Sequence, residues 1–391
     1  MNSEAGLMIE RDALVGDLVN MIRIPSINPF GDTRDDHGAE AAMGDYFEGR
    51  LRALGLEVTT KEVTPGRRNV WGVLKGTGEG PTVLLAGHLD TVGVEGYEAP
   101  FEARVEDGKV FGRGSCDMKA GLAAYLEVAR CLIARDAALA GDLIIAGVID
   151  EEHAMIGSKD FGLSGPQPDY AIVAEPTRLA ICPVHKGQIL MTIKTHGVAA
   201  HSSMPEKGIN AINHMAFALQ GLLGYATDLT HRDPDEMCGA PSFSVGVIRG
   251  GDNACSVPDF CEVDVDRRTI PGEKHNEVIN EIAAILDRIQ TELPGFSYEL
   301  KQPFLDLPPL ATQAGSPIMQ AIKSACDDVV GQSIIQTFPG STDGPNFNCP
   351  TVICGPGNLE QCHSLNEYVT IDEIEDAVRI YVKTVLALQN L

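Results

Sequence analysis

The sequence predicts an α/β protein with a central, mostly parallel sheet layered between helices, and three observations carry that prediction. Four short apolar runs without alternation, residues 82–86, 143–149, 170–174 and 351–354, are each bounded by turn residues. Strands covered on both faces read this way. Stretches of helical spacing lie among them, as a layered α/β plan requires. From about residue 187 the pattern changes to strict alternation, so this part of the chain builds half-exposed strands and reads as a separate unit.

Taken in order, residues 12–23 place Leu14, Val15, Leu18, Val19 and Ile22 at helical spacing, and Pro25 stops that helix. A second helix is expected over residues 39–54. The first buried strand follows at 82–86, then a helix at 118–135 and strands at 143–149 and 170–174. In the alternating region the apolar sets are Ile189, Met191 and Ile193, then Phe243, Val245 and Val247, then Cys261, Val263 and Val265. With helices at 209–223 and 276–293 and a last strand at 296–300, the order is βαββαβ, a ferredoxin-like unit. Parallel-type runs resume only after residue 310, following which come a helix at 314–330 and the strand at 351–354. The alternating unit therefore reads as an insertion, residues 187–302, in a domain built from residues 1–186 and 303–391.

Composition narrows the function classes. The 391 residues carry 30 Lys+Arg against 55 Asp+Glu, a formal net charge of −25, which argues against nucleic acid or an anionic membrane as partner. Ten cysteines are scattered with no CxxC pair, which argues against a disulfide framework or a zinc ribbon. Residues 1–11 show no leader pattern, and apolar stretches such as 143–149 are too short to span a bilayer. A soluble, cytoplasmic protein is expected.

The informative feature is what ends each buried strand. The run 82–86 leads into Gly87-His88-Leu89-Asp90, 143–149 into Asp150-Glu151-Glu152, 170–174 into Glu175-Pro176, and 351–354 into a loop carrying His363. Asp117 lies just before the helix at 118–135. Ligands of open α/β sheets bind at the carboxyl ends of strands, so these groups can converge in one cleft. Taken singly, His88 reads as a satisfied polar residue and Asp117 as a helix N-cap. Asp90, two residues beyond His88, can orient the imidazole. Glu151 and Glu152 could form a solvated turn, but adjacent carboxylates after an apolar strand repel unless a cation is near. Histidines and carboxylates without a cysteine ligand suit a hydrolytic zinc, cobalt or manganese site, and more than four such groups suggest two ions sharing one carboxylate.

Five segments then carry a resemblance: GHLDTV (residues 87–92), GRGSCDMKAG (112–121), DEE (150–152), AEPT (174–177) and CHSLNEYV (362–369). In this order, over nearly the whole chain, they resemble the dinuclear zinc family of acetylornithine deacetylase, succinyl-diaminopimelate desuccinylase, aminoacylase and glutamate carboxypeptidase. The resemblance implies that His88 and Glu175 bind one metal, Glu152 and His363 the other, and that Asp117 bridges them. It implies Glu151 as general base, drawing a proton from water held between the ions, and a cis peptide after Asp117. The inserted unit would be a lid that carries the dimer contact. In HSSMPEKGINAI (201–212), His201 would reach the partner subunit's site to steady the oxyanion. Asn253 and Arg268 would hold a substrate carboxylate, and Ser341 and Thr342 in GSTDG (340–344) would belong to another substrate-binding loop.

Three plainer readings stand beside these. His201 could be a surface residue, Arg268 could pair with Glu262, Asp264 or Asp266, and Cys116 could be a nucleophile, although it is taken here as a packed thiol. The expectation is metal-dependent hydrolysis of an N-acyl amino acid amide by a homodimer with two divalent ions per chain, zinc foremost. A dipeptidase or glutamate-type carboxypeptidase is the alternative. A binding protein that kept the fold is more remote, because it would have no need for Glu151, and a cysteine hydrolase using Cys116 is more remote still.

Overall fold

In a computed structural model that describes residues 7–30 and 38–389, the chain divides into two compact units. Residues 1–6, part of the stretch read for a leader, lie outside the described residues. The first unit comprises the chain up to Val184 with Ala311–Phe338 and the residues from Thr342, and the second comprises His185–Leu310 with Pro339–Ser341.

The four apolar runs become four adjacent parallel strands, in the order Leu143–Val148, Val83–His88, Tyr170–Pro176 and Thr351–Gly355. Nearly every residue in them is buried. Antiparallel strands flank them. Arg67–Leu74 pairs with Leu143–Val148 and in turn with Glu57–Thr64, while Ile181–His185 pairs with Thr351–Gly355. The outer hairpin escaped the sequence reading because Glu57–Thr64 (EVTTKEVT) has no fully buried position and therefore no apolar run.

Helix Lys119–Ala134 is buried on nearly every side, so its sequence shows little polar face. It and Ile371–Gln389 are tied to the sheet by phenols. Tyr125 reaches the carbonyls of Ala86 and Ile172 at 3.2 and 3.0 Å, and Tyr381 donates to that of Cys354 at 2.6 Å. Both hydroxyls thereby avoid the cost of an unpaired polar group in a core. Arg11–Ile22, Gly38–Ala53 and Pro317–Val330 start and stop within a few residues of their expected limits.

The second unit has its own core, built around Ile189, Met191, Ile193, Met215, Leu222, Val263, Val265, Ile282 and Leu286. Its strands lie in the order Ser242–Gly250, Phe260–Thr269, Gly187–His196, Ser297–Leu300, all antiparallel. With helices Ala211–Leu229 and His275–Glu292 this is the βαββαβ plan. Burial alternates residue by residue along Gly187–His196 and Phe260–Thr269, as their period-two patterns require. The first helix runs six residues past the expected end because Tyr225 and Leu229 continue its buried face. The unit also extends beyond residue 302, since Leu305–Leu307 adds antiparallel to Gly187–His196. Among the described residues no helix is long and apolar enough to cross a membrane.

Two helical glycines test the packing of the first unit. A Cβ on Gly121 would lie 2.6 Å from that of Ala174 and 3.1 Å from its carbonyl oxygen, whereas one on Gly49 meets nothing within 4 Å. Gly49→Ala should stabilise the protein by about 1 kcal/mol through helix propensity. Gly121→Ala should destabilise it by about 1–3 kcal/mol through overpacking. Denaturant midpoints of the two variants moving in the same direction would contradict this account of how the helix sits on the sheet.

Candidate metal centre

Three of the parallel strands end side by side, and their carboxyl ends deliver the polar groups. His88 is the last residue of Val83–His88, Glu175 lies near the end of Tyr170–Pro176, and Glu151 and Glu152 follow Leu143–Val148. Asp117 arrives on the loop before helix Lys119–Ala134, with a cis peptide joining it to Met118. His363 comes from the loop after the short turn Leu359–Gln361.

The side chains form two sets that share Asp117. His88 Nε2 lies 3.0 Å from Asp117 Oδ1 and 3.8 Å from Glu175 Oε1. His363 Nε2 lies 3.4 Å from Asp117 Oδ2 and 3.3 Å from Glu152 Oε2. Within each set the three potential ligand atoms all fall within 4.8 Å of one another. Each carboxylate oxygen of Asp117 thus faces a different imidazole, which is how a bridging carboxylate presents itself.

The electrostatics fit cations in both sets. Glu152 Oε1 and Glu175 Oε1 are buried without a hydrogen-bond partner, a costly state for a carboxylate unless a positive charge compensates it. Burial, followed by repulsion from neighbouring carboxylates, raises the pKa of Glu175 and Glu151 well above the usual range, and that of Glu152 more modestly. Hydrogen bonds to Asp117 and Glu152 push His363 up to about 10. At His88, burial works against the charged form, but bonds to Asp117 and Asp90 outweigh it and raise the pKa. Burial would likewise raise Asp117, yet the two imidazoles hold it below the ordinary carboxylate range. Divalent ions would relieve the same crowding of carboxylates, and the donors are all nitrogen and oxygen, which suits zinc, cobalt or manganese.

Other buried groups hold these side chains in place. The Asp90 carboxylate accepts the backbone N–H groups of Glu151 and Glu152 at 3.2 and 3.1 Å and the Asn28 amide at 2.8 Å. Its expected role of orienting the imidazole is shared with its own main chain. His88 Nδ1 is 3.0 Å from the Asp90 carbonyl oxygen but 3.5 Å from the nearer carboxylate oxygen. Glu367, within the CHSLNEYV segment yet given no role from the sequence, accepts from the N–H groups of Gly114, Cys116 and Asp117 at 3.1, 2.8 and 3.1 Å. It also pairs with Arg113 at 2.6 Å, and it is fully buried. Its place in the same segment as His363 was the available signal.

The N-cap reading of Asp117 does not hold. Met118 occupies the cap position without a side-chain bond, and the Asp117 carboxylate faces the two imidazoles instead. Cys116 is buried, with its Sγ 3.4 Å from the Asn358 carbonyl oxygen and 4.0 Å from Cys362 Sγ. Although contact with Cys362 lowers its pKa, burial and the nearby carboxylates raise it overall, as befits a packed thiol rather than a nucleophile. Asp343, next to the expected Thr342, was passed over. It is buried, and burial pushes its pKa up to about 7.

The remaining expected residues, apart from the buried Thr342, belong to the second unit. His201 is exposed, and its Nδ1 accepts the Ser203 N–H at 3.1 Å. Asn253 folds its Oδ1 back onto the N–H of Cys255 at 2.9 Å. Arg268 pairs with Asp266 on its own strand at 3.0 Å and donates to Ser341 Oγ at 3.1 Å. Asp264 and Glu262 pair with Arg249 instead, at 3.0 and 3.6 Å.

Known proteins resemble this chain in both sequence and fold. A model of peptidase family M20/M25/M40 matches residues 84–387. The chain is 30% identical over 375 residues to the acetylornithine deacetylase of Vibrio vulnificus, an alignment covering 94% of this chain and 95% of that protein. An M20 family metallo-carboxypeptidase from Sulfolobus solfataricus superposes with a TM-score of 0.80 at 17% identity, covering 98% of this chain and 100% of that one. A dinuclear metal-binding M20 peptidase of Bacillus subtilis superposes with a TM-score of 0.69 at 17% identity, over 97% and 99% of the two chains.

The crowded carboxylates make a thermodynamic prediction. Removing bound divalent metal with a chelator should lower the thermal midpoint, and adding back zinc, cobalt or manganese should restore it. Ligand at a hundredfold excess over its Kd adds roughly 2.7 kcal/mol per site. Asp117→Ala should abolish most of the response. A melting temperature indifferent to chelator and metal would mean that the two sets do not bind ions.

Proposed function

The chain belongs to peptidase family M20/M25/M40, and from that premise we propose that it is a dinuclear metallohydrolase that cleaves the amide bond of an N-acyl amino acid. It is an enzyme, and its reaction is metal-dependent amide hydrolysis. The observation that carries the proposal is the pair of residue sets joined at Asp117, with Glu151 preceding Glu152 of one set in the chain. His88 and Glu175 would hold one ion, Glu152 and His363 the other, and Asp117 both.

Divalent ions there would supply Lewis acidity, which can lower the pKa of a coordinated water from 15.7 to about 7 and polarise a carbonyl. The chain's own groups handle the proton. Glu151 takes it from the attacking water and returns it to the leaving nitrogen. In the second unit, Arg268 spends part of its guanidinium fork on Asp266 and Ser341. Its remaining donors would receive a substrate carboxylate, assisted by Asn253 and by Ser341 and Thr342. A dipeptidase or carboxypeptidase would use the same centre. The deacetylase relative, aligned over 94% of the chain, favours the deacylase.

The protein would act as a homodimer through the second unit. Edge strand Ser242–Gly250 exposes Val247 and Ile248, and helix Ala211–Leu229 exposes Ile212, Phe217 and Leu223. An apolar edge of this kind is a template for pairing with another chain. His201, exposed on the same unit, would then steady the oxyanion at the partner subunit's site. Zinc is the preferred ion, and ten free thiols support the reducing, cytoplasmic setting read from the sequence.

Hydrolysis of N-acyl amino acids, assayed alongside metal content, tests the central assignment. Glu151→Gln should keep two ions per chain and lose roughly 10²- to 10⁴-fold in kcat, the contribution of positioned proton transfer. Glu152→Gln should instead weaken one ion. Identical metal content in the two variants would overturn the division of roles.

The dimer has its own test. His201→Ala should lower kcat by roughly 10²- to 10³-fold, the cost of one oxyanion donor. Mixing it with Glu151→Gln under subunit exchange should restore part of the activity, because one site of each hybrid then has both groups. No recovery despite demonstrated exchange would rule out action across the interface.

A further inference from the structure

The turn bearing Glu151 and Glu152 is gripped from behind by a buried chain of groups, of which Asn28, Glu40, Arg67 and Asp150 have no part in the hydrolytic mechanism. Asp150, the residue before the base, has φ 72°, a left-handed conformation that residues with a Cβ seldom hold. Its carbonyl accepts the N–H groups of His153, Ala154 and Met155 at 3.4, 3.2 and 2.7 Å, so the chain winds back at this point. Its carboxylate is held at both oxygens. Oδ1 accepts from Arg67 Nη2 at 2.7 Å and from Asn28 Nδ2 at 3.2 Å, and Oδ2 accepts the Ala154 N–H at 3.2 Å.

The same Asn28 amide donates to Asp90 at 2.8 Å, and Asp90 in turn holds the N–H groups of Glu151 and Glu152. Asn28 is itself fixed by accepting the Phe30 N–H at 2.7 Å. Arg67 completes the chain by bonding Glu40 through Nε and Nη2. Arg67, Asn28, Asp90, Asp150 and Glu40 are all buried.

We propose that Arg67 and Asn28 are positioning residues for the general base. Together they lock the left-handed backbone at Asp150 and, through Asp90, fix the direction in which Glu151 leaves the turn. The chemistry of the two side chains is specific to this task. A neutral amide with two N–H donors can bridge Asp90 and Asp150 without adding a third negative charge. The planar guanidinium spans Glu40 and Asp150 at once, which a lysine's single ammonium cannot do in the same geometry. If the Asp150–Glu151 peptide rotated, the Glu151 N–H would leave Asp90 and the base would move with it. A shift of about 1 Å at a reacting group costs on the order of 100-fold in rate.

The inference rests on Glu151 being the base, and the experiment separates the two ideas. In the two-metal enzyme, Arg67→Lys, Arg67→Ala and Asn28→Ala should each lower kcat on the order of 10- to 100-fold, as loss of an outer-shell partner does, with KM little changed and two ions still bound. Millimolar guanidinium should return part of the rate to Arg67→Ala, and methylammonium should not. In a Glu151→Gln background the Arg67 and Asn28 substitutions should cost almost nothing further, because there is no base left to position. If Arg67→Ala does not fold, Asn28→Ala and Arg67→Lys carry the same comparison.

Folded, two-metal variants of Arg67 and Asn28 with wild-type kcat would overturn the proposal. So would rate losses that multiply fully with Glu151→Gln, or that track lost metal alone. Wild-type activity in Glu151→Gln itself would instead overturn the assignment of the base.

Discussion

The centre of this protein is organised around repulsion between carboxylates in a buried space. Asp117, Glu152 and Glu175 converge on two imidazoles, and among them two carboxylate oxygens have no hydrogen-bond partner. Such a cluster is tolerable only if positive charge enters it, because an unpaired buried carboxylate costs more than packing around it returns. Raised pKa values at the glutamates and at His363 are the same fact seen from the proton's side. A site that must draw in cations to be stable is also one that activates water once they are bound, so the folding constraint and the catalytic requirement coincide.

Holding like charges together demands rigid supports, and the fold provides them from two directions. Adjacent parallel strands end at one edge and bring His88, Glu175 and the Glu151–Glu152 turn within reach of one another. Buried acids then anchor the loops through backbone N–H groups. Glu367 holds the Gly114–Asp117 loop, and Asp90 holds the turn after Leu143–Val148. Acids that accept main-chain N–H groups fix backbone, and the acids they place are left free to meet metal and substrate. Asp90 and Glu367, both fully buried, therefore serve as supports for the backbone around the cluster.

Under the proposed function, chemistry and recognition would be divided between the two units of the chain. His88, Asp117, Glu151, Glu152, Glu175 and His363 all belong to the unit with the parallel sheet, whereas His201, Asn253, Arg268 and Ser341 belong to the βαββαβ unit. A division of this kind lets substrate range change without disturbing the metal chemistry, and relatives in one family can then include both deacylases and peptidases. The sequence motifs lie mainly in the unit with the parallel sheet, so a substrate group read by the other unit would leave little mark in them.

Much of the architecture was determined by the sequence itself. Unbroken apolar runs are the signature of strands buried on both faces, and strict alternation that of strands with one wet face, so the parallel core and the inserted unit could both be read from pattern alone. The candidate centre was legible because His88, Asp117, Glu151, Glu152, Glu175 and His363 stand at strand and loop ends where polar residues have no structural need to cluster. Tertiary structure alone decided the rest. Strand Glu57–Thr64 leaves no apolar run to detect, since its neighbours in space rather than its composition make it a strand. Glu367, Asn28 and Arg67 act on backbone and carboxylates far away in sequence, up to 253 residues for Glu367 and Gly114. A hydrogen bond between distant segments leaves no periodicity in either of them, so only the folded chain shows which charged residues join the cluster and which clamp the backbone around it.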